Sequence, residues 1–169
     1  MSTIGQRSAL NARFLLLSGA VISTAAGCTG AQGTDIAAER AAVEAAIDAT
    51  IAWAKTKDFD LLYGIIANDS AYLEVHPEDM VLKGFDEFRR MEEFWVSPDF
   101  RAIRHEISDL QITFSRSGEV AWFYCMLDDV NEWRGQPASW IDTRWTGVLE
   151  KRDGKWVMVQ MHFSNALAE

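Results

Sequence analysis

Three side chains that could take part in acid–base chemistry alternate along one short predicted strand. Tyr72, Glu74 and His76 fall on one face of this strand, and Leu73 and Val75 fall on the other. A carboxylate or an imidazole can move a proton between carbon atoms when a pocket brings its pKa towards neutrality. If the aliphatic face is the buried one, the three polar side chains face water instead. The sequence is compatible with both arrangements.

The other reactive residue types predict no second centre. His76, His105 and His162 lack the close spacing of metal ligands, so we expect no metal site and no cofactor. Cys125 lies inside the apolar run WFYCML, which is typical of a buried, unreactive thiol. The sequence also contains no phosphate-binding loop, no nucleophile elbow and no HExxH motif.

Composition and charge indicate one acidic domain. The chain has 169 residues, 49% of them hydrophobic, which suits a single domain with a substantial core. Its net charge is −9, and residues 1–27 hold two arginines and no acid, so the remainder is more negative still. Such a chain repels phosphate backbones, and we expect no nucleic-acid partner.

The N-terminal residues have the pattern of a secretory signal peptide. Arg7 and Arg13 precede an apolar run, which gives way to small residues and Cys28. The ending Ala26-Gly27-Cys28 resembles a bacterial lipobox, which implies acylation of Cys28, and conventional cleavage after Ala26 is the alternative. We therefore expect a signal peptide over 1–27 and a tether over 28–34. The expected location is the periplasm, with contact to a bacterial membrane only through the lipid.

Hydrophobic periodicity predicts helices first and long strands afterwards. Helices are expected over 35–57 and 59–67, with a third, rich in aromatic residues, between Gly84 and Ser97. Strands are expected over 101–116, with a bulge near Ser108-Asp109, then over 120–129 and 140–164. This order, without internal repeats, predicts an α+β domain over 35–169, with helices on one face of a curved antiparallel sheet.

The last predicted strands form a hairpin around Asp153-Gly154, since glycine supplies the positive φ of a tight turn. Whether the loop has two residues, or three with a bulge, stays open. The face expected to cover the core is the apolar one, formed by Val157, Val159, Met161 and Phe163.

These segments resemble a known family over about Asp35 to Ala166. The motifs that carry the resemblance are Arg144-Trp145-Thr146-x-Val148, Asp153-Gly154-Lys155-Trp156 and Gln160-x-His162-x-Ser164. They are similar to the closing hairpin of the SnoaL-like branch of the nuclear transport factor 2-like superfamily, which includes ketosteroid isomerase. The resemblance implies a cone-shaped domain of about three helices on a curved sheet, with a pocket between them. It also implies a homodimer through the outer sheet face.

The resemblance to ketosteroid isomerases places a catalytic base at Glu74 or at His76, depending on the anchor used for the comparison. The family's two strong oxyanion donors fall at Thr50 and Thr146, where this chain has weaker donors. The resemblance therefore favours binding over catalysis.

Three functions follow as hypotheses. The first is binding of a small apolar or amphipathic molecule, in a pocket lined by Trp53, Tyr72, Trp95 and Trp122. The second is an acid–base enzyme of isomerase, cyclase or dehydratase type, acting on a carbonyl or polycyclic substrate. The third is a dimerisation module without catalysis. Arg144 and His162 line either the pocket or the dimer interface.

Overall fold

The computed structural model describes residues 35–166. The predicted signal peptide, the tether and Cys28 lie outside these residues. The helices are α1 (Ile36–Thr56), α2 (Phe59–Ile65), α3 (Phe85–Arg90) and α4 (Glu92–Trp95). The strands are β1 (Leu73–Val75), β2 (Val81–Lys83), β3 (Phe100–Phe114), β4 (Val120–Trp133), β5 (Gln136–Pro137), β6 (Trp140–Arg152) and β7 (Lys155–Ser164). The predicted α+β class is confirmed, with helices packed against a curled, mostly antiparallel sheet.

The long helix α1 agrees with its prediction at both ends. Asp35 caps its N-terminus by accepting hydrogen bonds from the backbone amides of Ala37 and Ala38. The helix ends at Lys57, which adopts a left-handed conformation with φ of 56°. Its buried residues are Val43, Ile47, Thr50 and Trp53, and this stripe faces the sheet. Within residues 35–166, no helix is long and apolar enough to cross a membrane.

The predicted third helix is divided into two short ones, α3 and α4. The backbone amide of Met91 donates to the carbonyl of Phe88, three residues back, at 3.0 Å. This tighter turn interrupts the α-helical pattern at Met91. After the break, Trp95 packs within 5.0 Å of Trp53 and 5.1 Å of Phe88, measured between ring centroids. The aromatic residues of this segment thus cover one end of the core.

The sheet has the strand order β2-β1-β7-β6-β4-β3, and β5 pairs with β4. All pairings are antiparallel except that of β1 with β7, which is parallel. The register of β3 against β4 shifts between Ser108 and Gln111, and Asp109 has a φ of 52°. The predicted bulge is therefore confirmed at this position.

The hairpin between β6 and β7 has a two-residue loop. Arg152 pairs with Lys155, and the loop residues Asp153 and Gly154 have φ of 50° and 79°. Positive φ at both positions is the geometry of a type I′ turn, whose twist matches that of the strands.

A bulge in β7 makes part of the predicted core face wrong. Val148 pairs with Gln160 and Leu149 with Met158, so Val159 is an extra residue. One inserted residue reverses the alternation of side chains along the strand. The buried side chains are consequently Trp156 and Met158 before the bulge, and Met161 and Phe163 after it.

Candidate functional site

A cavity of about 340 Å³ lies between the helices and the sheet. Helix α1 contributes Thr50 and Trp53, and the segment of α3 and α4 contributes further aromatic side chains. The polar and aromatic residues that the sheet and its loops supply are Glu74, His76, Glu78, Phe100, Asp129, Asn131 and Trp140. The wall is mostly apolar, with a few polar groups in fixed positions, as is typical of a small-molecule site.

Tyr72, Glu74 and His76 form a hydrogen-bonded chain at this wall. The hydroxyl of Tyr72 donates to Oε2 of Glu74 at 2.7 Å, and Nε2 of His76 lies 2.7 Å from Oε1 of the same carboxylate. Tyr72 is 1% exposed and Glu74 is 6% exposed. The arrangement in which this trio faces water is therefore wrong. Leu73 and Val75 are the half-buried face, because α3 covers the other side, where Phe88 packs on Tyr72.

The hydrogen bonds are compatible with an arrangement of protons that leaves one ring nitrogen of His76 free. If Glu74 is ionised it can only accept, so Nε2 of His76 is the donor to Oε1. In the neutral ring with its proton on Nε2, Nδ1 has a free lone pair. Burial, followed by the charge of Glu74, raises the pKa of Tyr72, which therefore stays protonated as a donor.

Two aromatic rings hold the imidazole of His76 in place. Trp140 meets it edge-on, with ring centroids 5.0 Å apart and an interplanar angle of 88°. Phe163 lies 6.1 Å away at 76°. A ring held by its carboxylate partner and by two aromatic neighbours is oriented before any ligand arrives, which lowers the cost of a reaction at Nδ1.

A second polar pair, Asp129 and Asn131, lines the cavity from β4. Nδ2 of Asn131 donates to Oδ2 of Asp129 at 2.7 Å. Burial raises the pKa of Asp129, and the hydrogen bond from Asn131 opposes this effect in part. The sequence predicts that this strand ends at Asp129, whereas β4 continues to Trp133. The alternation with the buried Cys125 and Leu127 is the signal that could have revealed this pair.

The predicted pocket residues divide into two groups. Trp53 and Trp95 line the cavity, and Tyr72 lies behind its wall, bonded to Glu74. The other three predicted residues do not line it: Trp122 is 47% exposed, and Arg144 and His162 are also exposed.

The alternation along the strands explains why these three residues lie outside. Trp145 and Phe163 are buried, so the neighbouring Arg144 and His162 project from the opposite face of the sheet. The guanidinium of Arg144 donates to the backbone carbonyl of Asn165 at 2.6 Å. Their assignment to a dimer interface stays a prediction.

The raised pKa of Asp129 gives a pH-dependent prediction. The folded protein binds the proton of Asp129 more tightly than the unfolded chain does, so this residue makes stability fall as pH rises above the unfolded pKa of about 3.9. Asp129→Asn removes this cost and retains an acceptor for Asn131. We expect the variant to be more stable than the wild type at pH 7, and this gain in stability to be smaller at pH 4. Urea unfolding followed by tryptophan fluorescence measures both values.

Asp79→Asn is the control, because Asp79 is exposed in the loop before β2. It should shift stability equally little at both pH values. A gain for Asp129→Asn that does not grow between pH 4 and pH 7 would contradict the role of burial.

In the part of the chain that the structure describes, no cluster of three or more His, Cys, Asp or Glu side chains could hold a metal ion. The cavity therefore offers acid–base groups and hydrogen-bonding groups within an aromatic wall.

Solved structures with the same architecture were found among enzymes and assembly domains. A proposed scytalone dehydratase from Novosphingobium aromaticivorans superposes with a TM-score of 0.67 at 15% identity, covering 78% of this chain and 86% of that one. A type 2 hexachlorocyclohexane dehydrochlorinase has a TM-score of 0.63 at 18% identity, with 78% and 90% covered. The CamKII hub homology domain of Chlamydomonas reinhardtii has a TM-score of 0.58 at 18% identity, with 76% and 98% covered. At these identities the similarity establishes the fold alone.

No curated protein matches the sequence. Residues 43–168 match the family described as the SnoaL-like domain. This match spans most of the chain and agrees with the nuclear transport factor 2-like fold, so the protein belongs to the SnoaL-like domain family.

Proposed function

We propose that this protein is an acid–base enzyme that removes a proton from a carbon next to a carbonyl group in a small, mostly apolar molecule. The observation that carries the proposal is the chain from Tyr72 through Glu74 to His76 at the wall of the cavity. A histidine held by a buried carboxylate is a recurring form of general base.

The reaction starts from the neutral tautomer of His76 with its proton on Nε2, which the hydrogen bond to Glu74 allows. Nδ1 of His76 takes the proton from carbon, and the electron pair of the broken C–H bond moves into an enolate. Glu74 stabilises the imidazolium formed, since its Oε1 remains hydrogen-bonded to Nε2–H. Returning the proton to another carbon completes an isomerisation, and loss of a leaving group from the neighbouring carbon completes an elimination.

Elimination receives support from two similar structures. One is proposed to be a dehydratase and another is named as a dehydrochlorinase, so both names describe the removal of a small molecule across two carbons. The size of the cavity favours a compact substrate, since about 340 Å³ is near the lower end of the range of about 300–1,000 Å³ for ligand pockets.

Exchange of α-protons with deuterium tests the proposal directly. The purified protein is incubated with 2-tetralone in D₂O, and the loss of the α-proton signal is followed by NMR. We expect exchange above the buffer rate, with a decrease of roughly 100-fold in His76→Gln. His105→Gln is a matched control, because His105 also contacts a carboxylate, Asp48, at 2.8 Å but does not line the cavity. Exchange at the buffer rate, or equal rates in wild type and His76→Gln, would refute the proposal.

Binding without turnover is the second candidate function. Among residues 35–166, the lining of the cavity contains no Lys or Arg, and the hydroxyl of Thr50 is already bonded to the backbone carbonyl of Ala46 at 2.8 Å. The described lining therefore offers neither a cationic side chain nor a free Thr50 hydroxyl to stabilise an enolate. Binding of 2-tetralone without accelerated exchange would favour this function.

We also propose that two copies associate through the outer face of the sheet. Trp122 is 47% exposed there and pairs with Val148 on β6 and Thr113 on β3. Burial of a tryptophan at the centre of an interface contributes strongly to affinity. We expect a dimer by light scattering and a dissociation constant at least roughly 10-fold weaker in Trp122→Lys.

Leu61→Lys is the control for this prediction. Leu61 is 39% exposed but belongs to α2, away from the sheet, so the dimer should persist. A monomeric wild type, or a dimer that Trp122→Lys leaves intact, would contradict the interface.

Finally, we propose export and lipid attachment at Cys28, from the signal-like sequence of residues 1–27. Metabolic labelling with a palmitate analogue in a bacterial host should modify the wild type and spare Cys28→Ala. An unlabelled wild type with a new N-terminus at Gly27 would instead establish conventional cleavage.

A further inference from the structure

One buried acceptor atom at the cavity has no hydrogen-bond partner. Asn131 is 8% exposed, and its Oδ1 has no partner among the described residues. The other polar atoms of this residue are all paired. Its Nδ2 donates to Asp129, its backbone amide donates to Oγ of Ser139, and its carbonyl accepts from Ser139 and Ala138. A buried acceptor without a hydrogen bond costs free energy and is rare in folded proteins, so we expect Oδ1 to accept a hydrogen bond from a bound molecule.

Asp129 fixes which end of the amide is free. The carboxylate oxygen accepts from the NH₂ group at 2.7 Å, so the carbonyl end of the amide is the unpaired one. Because Asn131 lines the cavity, a bound molecule can approach this residue.

The charges around the cavity restrict the ligand further. The ionisable residues that line it, besides His76, are the acids Glu74, Glu78 and Asp129. Carboxylate or phosphate ligands would be repelled by these groups. The adjoining carboxylate of Asp129 already accepts from Nδ2 of Asn131, so the acceptor left for the ligand is the uncharged amide oxygen, which suits a neutral donor.

We infer that the ligand of this cavity is an uncharged molecule with a hydroxyl group, which donates to Oδ1 of Asn131, and that Asn131 selects hydroxylated molecules over their non-hydroxylated analogues. This inference rests on the proposed function, since it concerns the substrate of the same cavity. It adds Asn131 on β4, as a specificity contact, to the proposed base His76, which lies on the loop after β1.

Three two-ring probes of similar shape test the inference by titration calorimetry with the whole protein. They are 2-naphthol, 2-methylnaphthalene and the cation 2-naphthylmethylamine. We expect wild type to bind 2-naphthol roughly 10- to 100-fold more tightly than 2-methylnaphthalene. Equal affinity for these two probes, or binding of neither, overturns the inference. Tighter binding of the amine than of 2-naphthol overturns the assignment of a neutral hydroxyl.

Substitutions test whether Asn131 is responsible for the preference for 2-naphthol. Asn131→Leu has nearly the same shape and no acceptor, and should abolish the preference for 2-naphthol. Asn131→Val, which suits a strand, serves if the leucine variant fails to fold. Thr50→Val is the matched control, because this lining hydroxyl is already paired with Ala46, so the preference should persist. A preference that survives in a folded Asn131 variant overturns the role of Asn131.

The outcome is distinguishable from that of the proton-exchange experiment. The probes contain no carbonyl group and report only on binding, whereas exchange in 2-tetralone requires no hydroxyl. A hydroxyl preference without exchange supports the specificity contact at Asn131 and refutes the proposed enzyme activity. Exchange without a hydroxyl preference supports the enzyme activity and refutes the contact.

Discussion

Gly147→Ala is expected to destabilise the protein by about 3 kcal/mol or more. A Cβ atom at this position would lie 2.6 Å from Cε1 of Phe123 and 2.7 Å from the backbone oxygen of Gln160. The oxygen belongs to β7, beside the bulge, and cannot move without disturbing the sheet. Phe123 is 3% exposed and packs edge-on against Trp145 at 5.0 Å, so it has no space to rotate away. Chemical unfolding monitored by tryptophan fluorescence measures the loss.

Gly64→Ala is the matched control for this substitution. Gly64 lies within α2, and an added Cβ meets nothing within 4 Å. Alanine is the better helix former there and should stabilise by roughly 0.5–1 kcal/mol. Two glycine-to-alanine changes in one protein should therefore have opposite signs. If the free energy of unfolding of Gly147→Ala lay within about 1 kcal/mol of the wild-type value, the sheet would be able to shift locally to accommodate the added Cβ.

Glu74→Gln is expected to reduce the rate of proton exchange by roughly 100-fold or more while leaving ligand binding nearly unchanged. The carboxylate accepts from Tyr72 on one oxygen and from His76 on the other. A glutamine amide accepts on its oxygen only, so its NH₂ group must face a donor on one side. The neutral amide also cannot stabilise an imidazolium as a carboxylate does. Steady-state rates and probe affinities separate the two effects.

Two further variants refine this result. Tyr72→Phe removes one hydrogen bond but keeps the charge of Glu74, so its rate should fall less than that of Glu74→Gln. Glu78→Gln removes an exposed acid at the same cavity and should leave the rate within a few-fold of the wild type. If Glu78→Gln and Glu74→Gln lowered the rate equally, the general charge of the cavity would be responsible, and the chain through His76 would not.

The sequence predicts the elements of this fold well because periodicity is a local property. The helix over 35–57, the bulge near Ser108-Asp109 and the hairpin at Asp153-Gly154 each depend on neighbours within a few residues. The β7 bulge escaped prediction because no turn residue marks it. Val159 is a regular strand residue, and only the pairing with β6 reveals that it is extra.

The candidate site was harder to predict, since burial depends on what the rest of the chain places over each face. Alternation puts Glu74 and His76 together, but α3 and β7 decide that this face is the inner one. Trp140 reaches the cavity only through the pairing of distant strands, and no local pattern identifies it. Asn131 could have been found from its alternation with Cys125 and Leu127 along β4. The prediction that Arg144 and His162 line the pocket was wrong, because the pairing of β6 with β7 places both on the face of the sheet away from the cavity.

The parallel pairing of β1 with β7 has a consequence for biosynthesis. The strand that carries Glu74 is held by residues 160–162, near the C-terminus, with Glu74 opposite Met161. A nascent chain therefore cannot pair the strand that carries Glu74 until β7 has been synthesised and has left the ribosome. A chain that stops before β7 lacks this pairing, so the support of Glu74 is among the last parts of the domain to form.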